Sequence, residues 1–285
     1  MTPTPYDTDL SDTQWALLAP FFPLATTGRP RQYSYCSLVN AILYVVRSGC
    51  HWRLLPHEFP PWNTVYSYFR QWRINGTWHC IHTALREQTR HQSGHRPQPS
   101  ARILDSQSVK TTGIGGPRGY DGGKKISGRK RHILVDTQGL LLRAKVHTAD
   151  VQDRAGVPLV LTHANEDYAD ITHIWVDQGY TGTGKAWIEE HLGWRVQVVK
   201  REARRQWTVH PDGSLEKVAV PRGFAVLPKR WIVERTLSWL GQNRRLSKDY
   251  ERNCATSEAW MLIAMIRLMV RRLTKEPASF LTRVA

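Results

Sequence analysis

Residues 171–180 read ITHIWVDQGY. An almost unbroken apolar run ends at Asp177 and gives way to a tight Gly-containing turn. A half-exposed strand alternates apolar and polar residues, whereas a strand covered on both faces does not. This segment is therefore expected to be a central strand of an α/β sheet, with an acid at its end.

The neighbouring segments extend that sheet. Upstream, residues 102–110 (RILDSQSVK) form a short β-like stretch with Ile103 and Leu104 just before Asp105. Residues 131–149 give two apolar strands around Thr137-Gln138-Gly139, a hairpin signal. Residues 153–165 suit a helix, with Pro158 near its first turn. Downstream come a short helix at 184–192, a strand at 195–201 and a hairpin turning at Asp212-Gly213. Helical regions are expected at 229–246 and 257–273. The order β-β-β-α-β-α-β-α is that of a ribonuclease H-like mixed sheet flanked by helices.

Residues 11–93 have a different texture, with helical periodicity throughout. SDTQWALLAPFF opens with a cap signal and stops near Pro20 and Pro23. Leu38, Ile42, Val45 and Val46 make one stripe of a second helix that ends at Gly49. Val65, Phe69 and Trp72 mark a third, whose polar side carries Asn63, Ser67, Arg70, Gln71 and Arg73. Short helices with tight turns suit a helix-turn-helix-like DNA-binding domain over residues 1–93; a bundle used for packing or dimerisation would have the same pattern. Residues 94–101, polar and Pro-bearing, form a linker. Residues 102–285 form the second domain, with the hairpin inserted near 202–222.

Composition narrows the partner. Forty Lys and Arg against 24 acids give a net charge of +16, which suits a polyanion, most often nucleic acid. The excess is +6 over residues 101–133 and +7 over 229–285, flanking a middle at −1. Four scattered cysteines include no CxxC pair, so neither a zinc site nor a disulfide framework is expected. The N-terminus lacks the basic and apolar regions of a signal peptide, and the apolar run 259–270 is too short to span a membrane and contains Arg267. A cytoplasmic protein is expected, on the nucleoid when bound to DNA, with no membrane partner. The Gly-rich run 113–123 matches no nucleotide-binding fingerprint, so it reads as a flexible DNA-facing loop and no nucleotide cofactor is expected. The 12 histidines read as surface or DNA-facing residues. Asp136 reads as a turn residue, and Asp150 and Asp153 as caps of the following helix.

Three acids stand out by position: Asp105 on the first strand, Asp177 at the end of the central one, and Glu234 on the late helix RWIVERTLSW. In this strand order the two aspartates lie on neighbouring strands, with the helix across their ends. Carboxylates so placed repel unless cations separate them, and hard oxygen donors suit Mg²⁺ or Mn²⁺. Two such ions about 3.5–4 Å apart can activate water or a 3′-hydroxyl and stabilise the leaving oxygen of a phosphodiester.

LDSQSVK, GYDGGKKISGRKRHILVDTQGLLL, HTADVQDRAG, VDQGYTG and LPKRWIVERTLSWLGQNRRLSKDYE together resemble the DDE transposases of bacterial insertion sequences, in the insertion-sequence-four/five superfamily. The N-terminal WALLAPFFP…GRPR…GCHWRLLPHEFPPWNTVYSYFRQW resembles the helical region of its five-type group. The resemblance implies that Asp105, Asp177 and Glu234 are catalytic and bind two metal ions. It also implies an enzyme that binds the terminal inverted repeats of its element, cleaves there and joins the 3′-ends to target DNA, as a homodimer or higher assembly on DNA. The superfamily pattern around the glutamate is Tyr, two residues, Arg, three residues, Glu, six residues, Lys. Arg230 and Glu234 fit it, whereas Leu227 and Gly241 occupy the Tyr and Lys positions. Were the helix to continue past Gly241, Arg245 and Lys248 would supply the missing charge. Arg244, Lys124, Lys125, Arg129, Lys130, Arg70 and Arg73 are the further DNA-contact candidates, besides Arg230, Arg245 and Lys248. A stand-alone nuclease would share the three acids; a DNA-binding repressor would need none of them.

Overall fold

The computed structural model describes residues 6–22, 31–168, 170–199, 205–219 and 229–275. Helix α1 (Asp12–Leu18) opens with a capping box, in which the Ser11 hydroxyl accepts from the Gln14 N–H and the Gln14 side chain accepts from the Ser11 N–H. Two orphan donors of the first turn are thus satisfied reciprocally. Helix α2 (Tyr35–Ser48) is capped by Ser34 and ends at Gly49, in the left-handed region at φ 72°. A Cβ at Gly49 would lie 3.0 Å from that of Arg244, so the position excludes larger residues on both backbone and packing grounds. Helices α3 (Trp62–Ile74) and α4 (Thr77–Gln92) meet at a tight turn through Gly76.

The sheet begins at β1 (Ala101–Lys110). It is joined by β2 (Gly119–Asp121), β3 (Ile126–Asp136), β4 (Leu141–Thr148), β5 (His173–Val176) and β6 (Arg195–Val198). Its order is β2-β3-β1-β5-β6, with β4 also pairing with β3. The β1–β3 and β3–β4 pairs are antiparallel, and the β1–β5 and β5–β6 pairs are parallel. This is the ribonuclease H-like arrangement expected from the strand pattern. Helices α5 (Asp153–Leu161), α6 (Ala164–Asp167) and α7 (Thr183–Leu192) lie in the β4–β6 crossovers. A separate hairpin, β7 (Arg205–Val209) with β8 (Leu215–Ala219), turns at Asp212-Gly213; the rest of 202–222 lies outside the described residues. Helices α8 (Arg230–Gly241) and α9 (Cys254–Leu273) complete the chain.

Strand alternation divides the core. Ile103 and Ile133 face one cluster, with α8, α9 and the N-terminal helices. Leu104 and Leu134 face the other, with α5 and α7. Helix α9 packs on α2 and α4, so residues before 93 share one core with the sheet and the last helix. Trp260 of α9 is fully buried there, stacked 4.5 Å from Phe69 and 5.6 Å from Trp52. Among the described residues no helix is long and apolar enough to cross a membrane.

Several local expectations are corrected. Pro158 lies inside α5 rather than in its first turn. Helix α8 stops at Gly241; a 3₁₀ turn over Arg244–Leu246 follows, with Arg245 and Leu246 buried. The Gly-rich run is anchored, because Arg129 donates to the Pro117 carbonyl at 2.8 Å and Asp121 accepts from the N–H groups of Gly123 and Lys124. His82, His132 and His147 are buried, not surface residues.

Trp260→Ala should cost about 3–5 kcal/mol, the range for truncating a buried aromatic. Urea unfolding followed by circular dichroism should show one transition at lower midpoint, because the helices and the sheet share this core. Two separated transitions would show that they unfold independently.

Candidate active site

The β1–β5 register sets the site. Ile103 is paired with Trp175, and two more residues along each parallel strand bring Asp105 level with Asp177. The Ser106 N–H donates to Asp105 Oδ1 at 2.7 Å. Asp177 starts the 3₁₀ turn over Gln178–Tyr180, where its Oδ1 accepts the Gly179 N–H at 2.9 Å. Both carboxylates line a narrow cleft with Arg230 and Val233 of α8. Arg230 stands between the acids: Nη2 is 3.7 Å from Asp177 Oδ2, and Nε is 3.2 Å from Glu234 Oε1, one helical turn on. Glu234 is exposed and opens onto a broad groove of about 590 Å³ lined by Gln107, Leu237, Ser238, Gly241 and Gln242.

Burial lifts the Asp105 carboxyl to about 6, and the Asp177 charge adds to the rise; the Ser106 N–H, Arg230 and Lys124 oppose it. Desolvation and a like charge both disfavour the anion, so the site gains by taking a cation. Among the described residues no three His, Cys, Asp or Glu side chains converge as a preformed metal cage. The donor set nonetheless fits a hard divalent ion, with the carboxylates of Asp105 within β1 and Asp177 at the end of β5 and a solvent-facing glutamate available as oxygen ligands.

The basic candidates divide sharply. Lys124, Lys125, Arg244, Lys248 and Arg70 are exposed and Arg73 is half-buried. Arg129 and Lys130 are corrections, because both are buried. Arg129 pairs with Asp249 at 3.0 Å and also donates to the Arg252 carbonyl at 2.8 Å. Lys130 lies 2.9 Å from Asp153 and donates to the Val151 carbonyl at 2.8 Å. Arg245 is likewise internal, 2.7 Å from Glu251 and 3.0 Å from the Cys50 carbonyl. It cannot replace the charge missing at Gly241. Leu227 lies outside the described residues.

Asp136 does mark its turn, accepting from the N–H groups of Gln138 and Leu140, and it also forms a buried ion pair with Arg90. Asp153 is not a cap. Gln152 precedes the helix, and the Asp153 carboxylate turns inward to the Ser106 hydroxyl and Lys130. Its only trace in the sequence is an acid at the start of a helix, the position that a cap also favours.

The strand order and its flanking helices define a ribonuclease H-like fold. Residues 96–269 match the family model of the transposase DDE domain, more than half of the chain, and the chain belongs to that family. Residues 10–82 match the family model described as "Putative transposase of IS4/5 family". Over 113 residues the chain is 26% identical to the "Insertion element IS402 uncharacterized 16.2 kDa protein" of Burkholderia cepacia, covering 37% of this chain and 76% of that protein. The family is that of enzymes acting on DNA.

Behind the sheet, His132 and His147 stack with their ring nitrogens 2.7 Å apart. Burial, then the neighbouring His147, drops the His132 pKa to about 3. The unfolded chain binds a proton near pH 6.5, which the folded chain refuses until about pH 3. This contribution is therefore complete above about pH 6.5 and is lost as pH falls toward 3. Unfolding free energy at pH 4.5 should fall on the order of 2 kcal/mol further below its pH 7.5 value in the native chain than in His132→Leu. Parallel pH profiles for the two proteins would contradict this.

Proposed function

We propose that the chain is a transposase that binds the terminal inverted repeats of its insertion sequence, hydrolyses phosphodiesters there and joins the 3′-ends to target DNA. The observation that carries this reading is the meeting of Asp105, midway along β1, with Asp177, at the end of the parallel neighbour β5, and Glu234 tied to Asp177 through Arg230. In cleavage, a water oxygen attacks phosphorus and the 3′-oxygen leaves and takes a proton. In joining, that 3′-oxygen attacks a target phosphorus and expels the target's own 3′-oxygen. Both are in-line displacements at one centre.

Asp105, Asp177 and Glu234 would hold Mg²⁺ or Mn²⁺, two ions per site in this reading. The ions supply a nucleophile deprotonated near neutral pH and charge stabilisation for the leaving oxygen. The protein's own part is positional. The Ser106 N–H and the Gly179 N–H each fix one aspartate oxygen, and Arg230 holds Glu234 toward the cleft. The groove beside Glu234 gives the duplex access, with exposed Arg244 and Lys248 beyond it as phosphate contacts. The exposed side of α3, with Asn63, Ser67, Arg70 and Gln71, is the surface for end recognition. Synapsis of two ends implies at least a homodimer on DNA.

A labelled element end incubated with protein, Mg²⁺ and plasmid should give nicked ends and then end–plasmid joints. Nicking without joints would favour a stand-alone nuclease. Asp105→Ala, Asp177→Ala and Glu234→Ala should each lose cleavage by several orders of magnitude while end binding persists; near-normal cutting by any one would remove that residue from the site. Arg244→Ala and Lys248→Ala should each lower the log–log salt slope of binding by about one unit. Arg129→Ala should instead lower thermal stability, since it leaves Asp249 buried and unpaired. Unchanged slopes would take the first two residues off the DNA path.

A further inference from the structure

On the face of the sheet opposite α8, one carboxylate faces the Asp177 turn and touches the residue that follows Asp105. Ser106 follows Asp105 on β1, and by strand alternation its side chain points to the α5 side, as Leu104 does. The Ser106 hydroxyl donates to Asp153 Oδ1 at 2.7 Å. The same oxygen lies 2.9 Å from Lys130 Nζ. The second oxygen, Oδ2, faces the turn after β5. A Cβ added at Gly179 would stand 3.1 Å from Asp153 Oδ2 and 3.1 Å from Asp177 Oδ1, so those two oxygens lie no more than about 6.2 Å apart. Tyr180, the next residue, is fully buried, with its ring 5.8 Å from that of His132. His132 Nε2 in turn lies 3.9 Å from Asp153 Oδ1.

We propose that Asp153 is a positioning residue for the reaction. Through Ser106 it fixes the stretch of β1 that carries Asp105, and across Gly179 it sets how closely the Asp177 turn approaches. Neutralising Lys130 does not by itself require this arrangement, because Lys130 also has Asp121 Oδ2 at 3.7 Å and the Val151 carbonyl. What Asp153 alone provides is a rigid, charge-compensated link between the neighbours of the two acids. Gly179 has a matching role. Any side chain there would wedge the Asp153 and Asp177 carboxylates apart by a few tenths of an ångström. Partners that orient ligands from behind commonly change metal affinity or activity by about 10- to 100-fold when removed.

The proposal rests on the reading of Asp105 and Asp177 as metal ligands, and the test separates the two. Mn²⁺ binding to the full-length, DNA-free chain is measured from the loss of the free-ion electron paramagnetic resonance signal, beside cleavage as a function of Mn²⁺ concentration and thermal melting. Asp153→Asn and Ser106→Ala should each weaken Mn²⁺ binding by about tenfold or more. Each should shift the cleavage curve to higher metal concentration, with the rate recovering at saturation, while both proteins remain folded at the assay temperature. Ser106→Ala decides the matter if Asp153→Asn does not fold, since it removes the hydroxyl that joins Asp153 to β1 and leaves the Ser106 N–H on Asp105. Asp105→Ala should abolish both binding and cleavage; if it does not, the metal-site reading itself falls. If Asp105→Ala loses both while Ser106→Ala and any folded Asp153→Asn stay within about twofold of wild type in Mn²⁺ affinity, well short of the expected loss, Asp153 is only a structural ion-pair partner and the proposal is overturned.

Discussion

Two carboxylates held level where β1 runs past the end of its parallel neighbour β5 are the constraint on which this structure depends. The β1–β5 register makes their approach unavoidable, because every backbone hydrogen bond that pairs Ile103 with Trp175 also brings Asp105 toward Asp177. Like charges at such a place cost free energy, and burial of Asp105 increases the cost. The surrounding groups offset it locally. Backbone N–H groups take one oxygen of each aspartate, and Arg230 enters from α8 to face Asp177 and Glu234 together. Helix α8 has to lie across the strand ends for this, and its position is fixed by Ile232, Val233 and Leu240 in the core below.

The large positive charge is not all available to a partner. Arg86, Arg90, Arg102, Arg129, Lys130, Arg131 and Arg245 are buried. Several of them act as internal struts. Arg131 donates to the carbonyls of Leu246 and Lys248, and Arg129 pairs with Asp249, so β3 holds the segment that follows α8. Arg245 reaches the Cys50 carbonyl and ties that same segment to the loop after α2. Arginine suits this use because its planar fork can satisfy several acceptors at once. What remains outside, including Lys124, Lys125, Arg244, Lys248 and Arg70, is the smaller set that can meet phosphate.

The strand order was legible because its signals are local and redundant. An almost unbroken apolar run before Asp177, a hairpin at Thr137-Gln138-Gly139 and helical stripes between them leave few topologies. Asp177 at the end of its strand could be read for the same reason, whereas Asp105 lies midway along β1 and Glu234 within α8. Less legible was which cations face outward, since a basic run such as residues 129–131 looks alike whether it lines a groove or fills a core. Its placement on β3, covered on both sides, decided the matter, and that is a tertiary fact. The end of α8 at Gly241 was hidden similarly. Helical spacing continues on paper through Arg245, but burial of Arg245 and Leu246 against α2 and α9 turns the chain instead. Asp153 was misread because a cap and an inward-facing carboxylate begin a helix with the same residue.

The central claim is that the acids of β1, the β5 turn and α8 form one divalent-metal site. Iron-directed cleavage of the polypeptide tests it most directly. The full-length chain loaded with Fe²⁺ and treated with ascorbate and peroxide should be cut in its backbone beside Asp105, Asp177 and Glu234, and excess Mg²⁺ should suppress all three cuts together. Cuts confined to other segments, or cuts at these positions that Mg²⁺ leaves untouched, would contradict it.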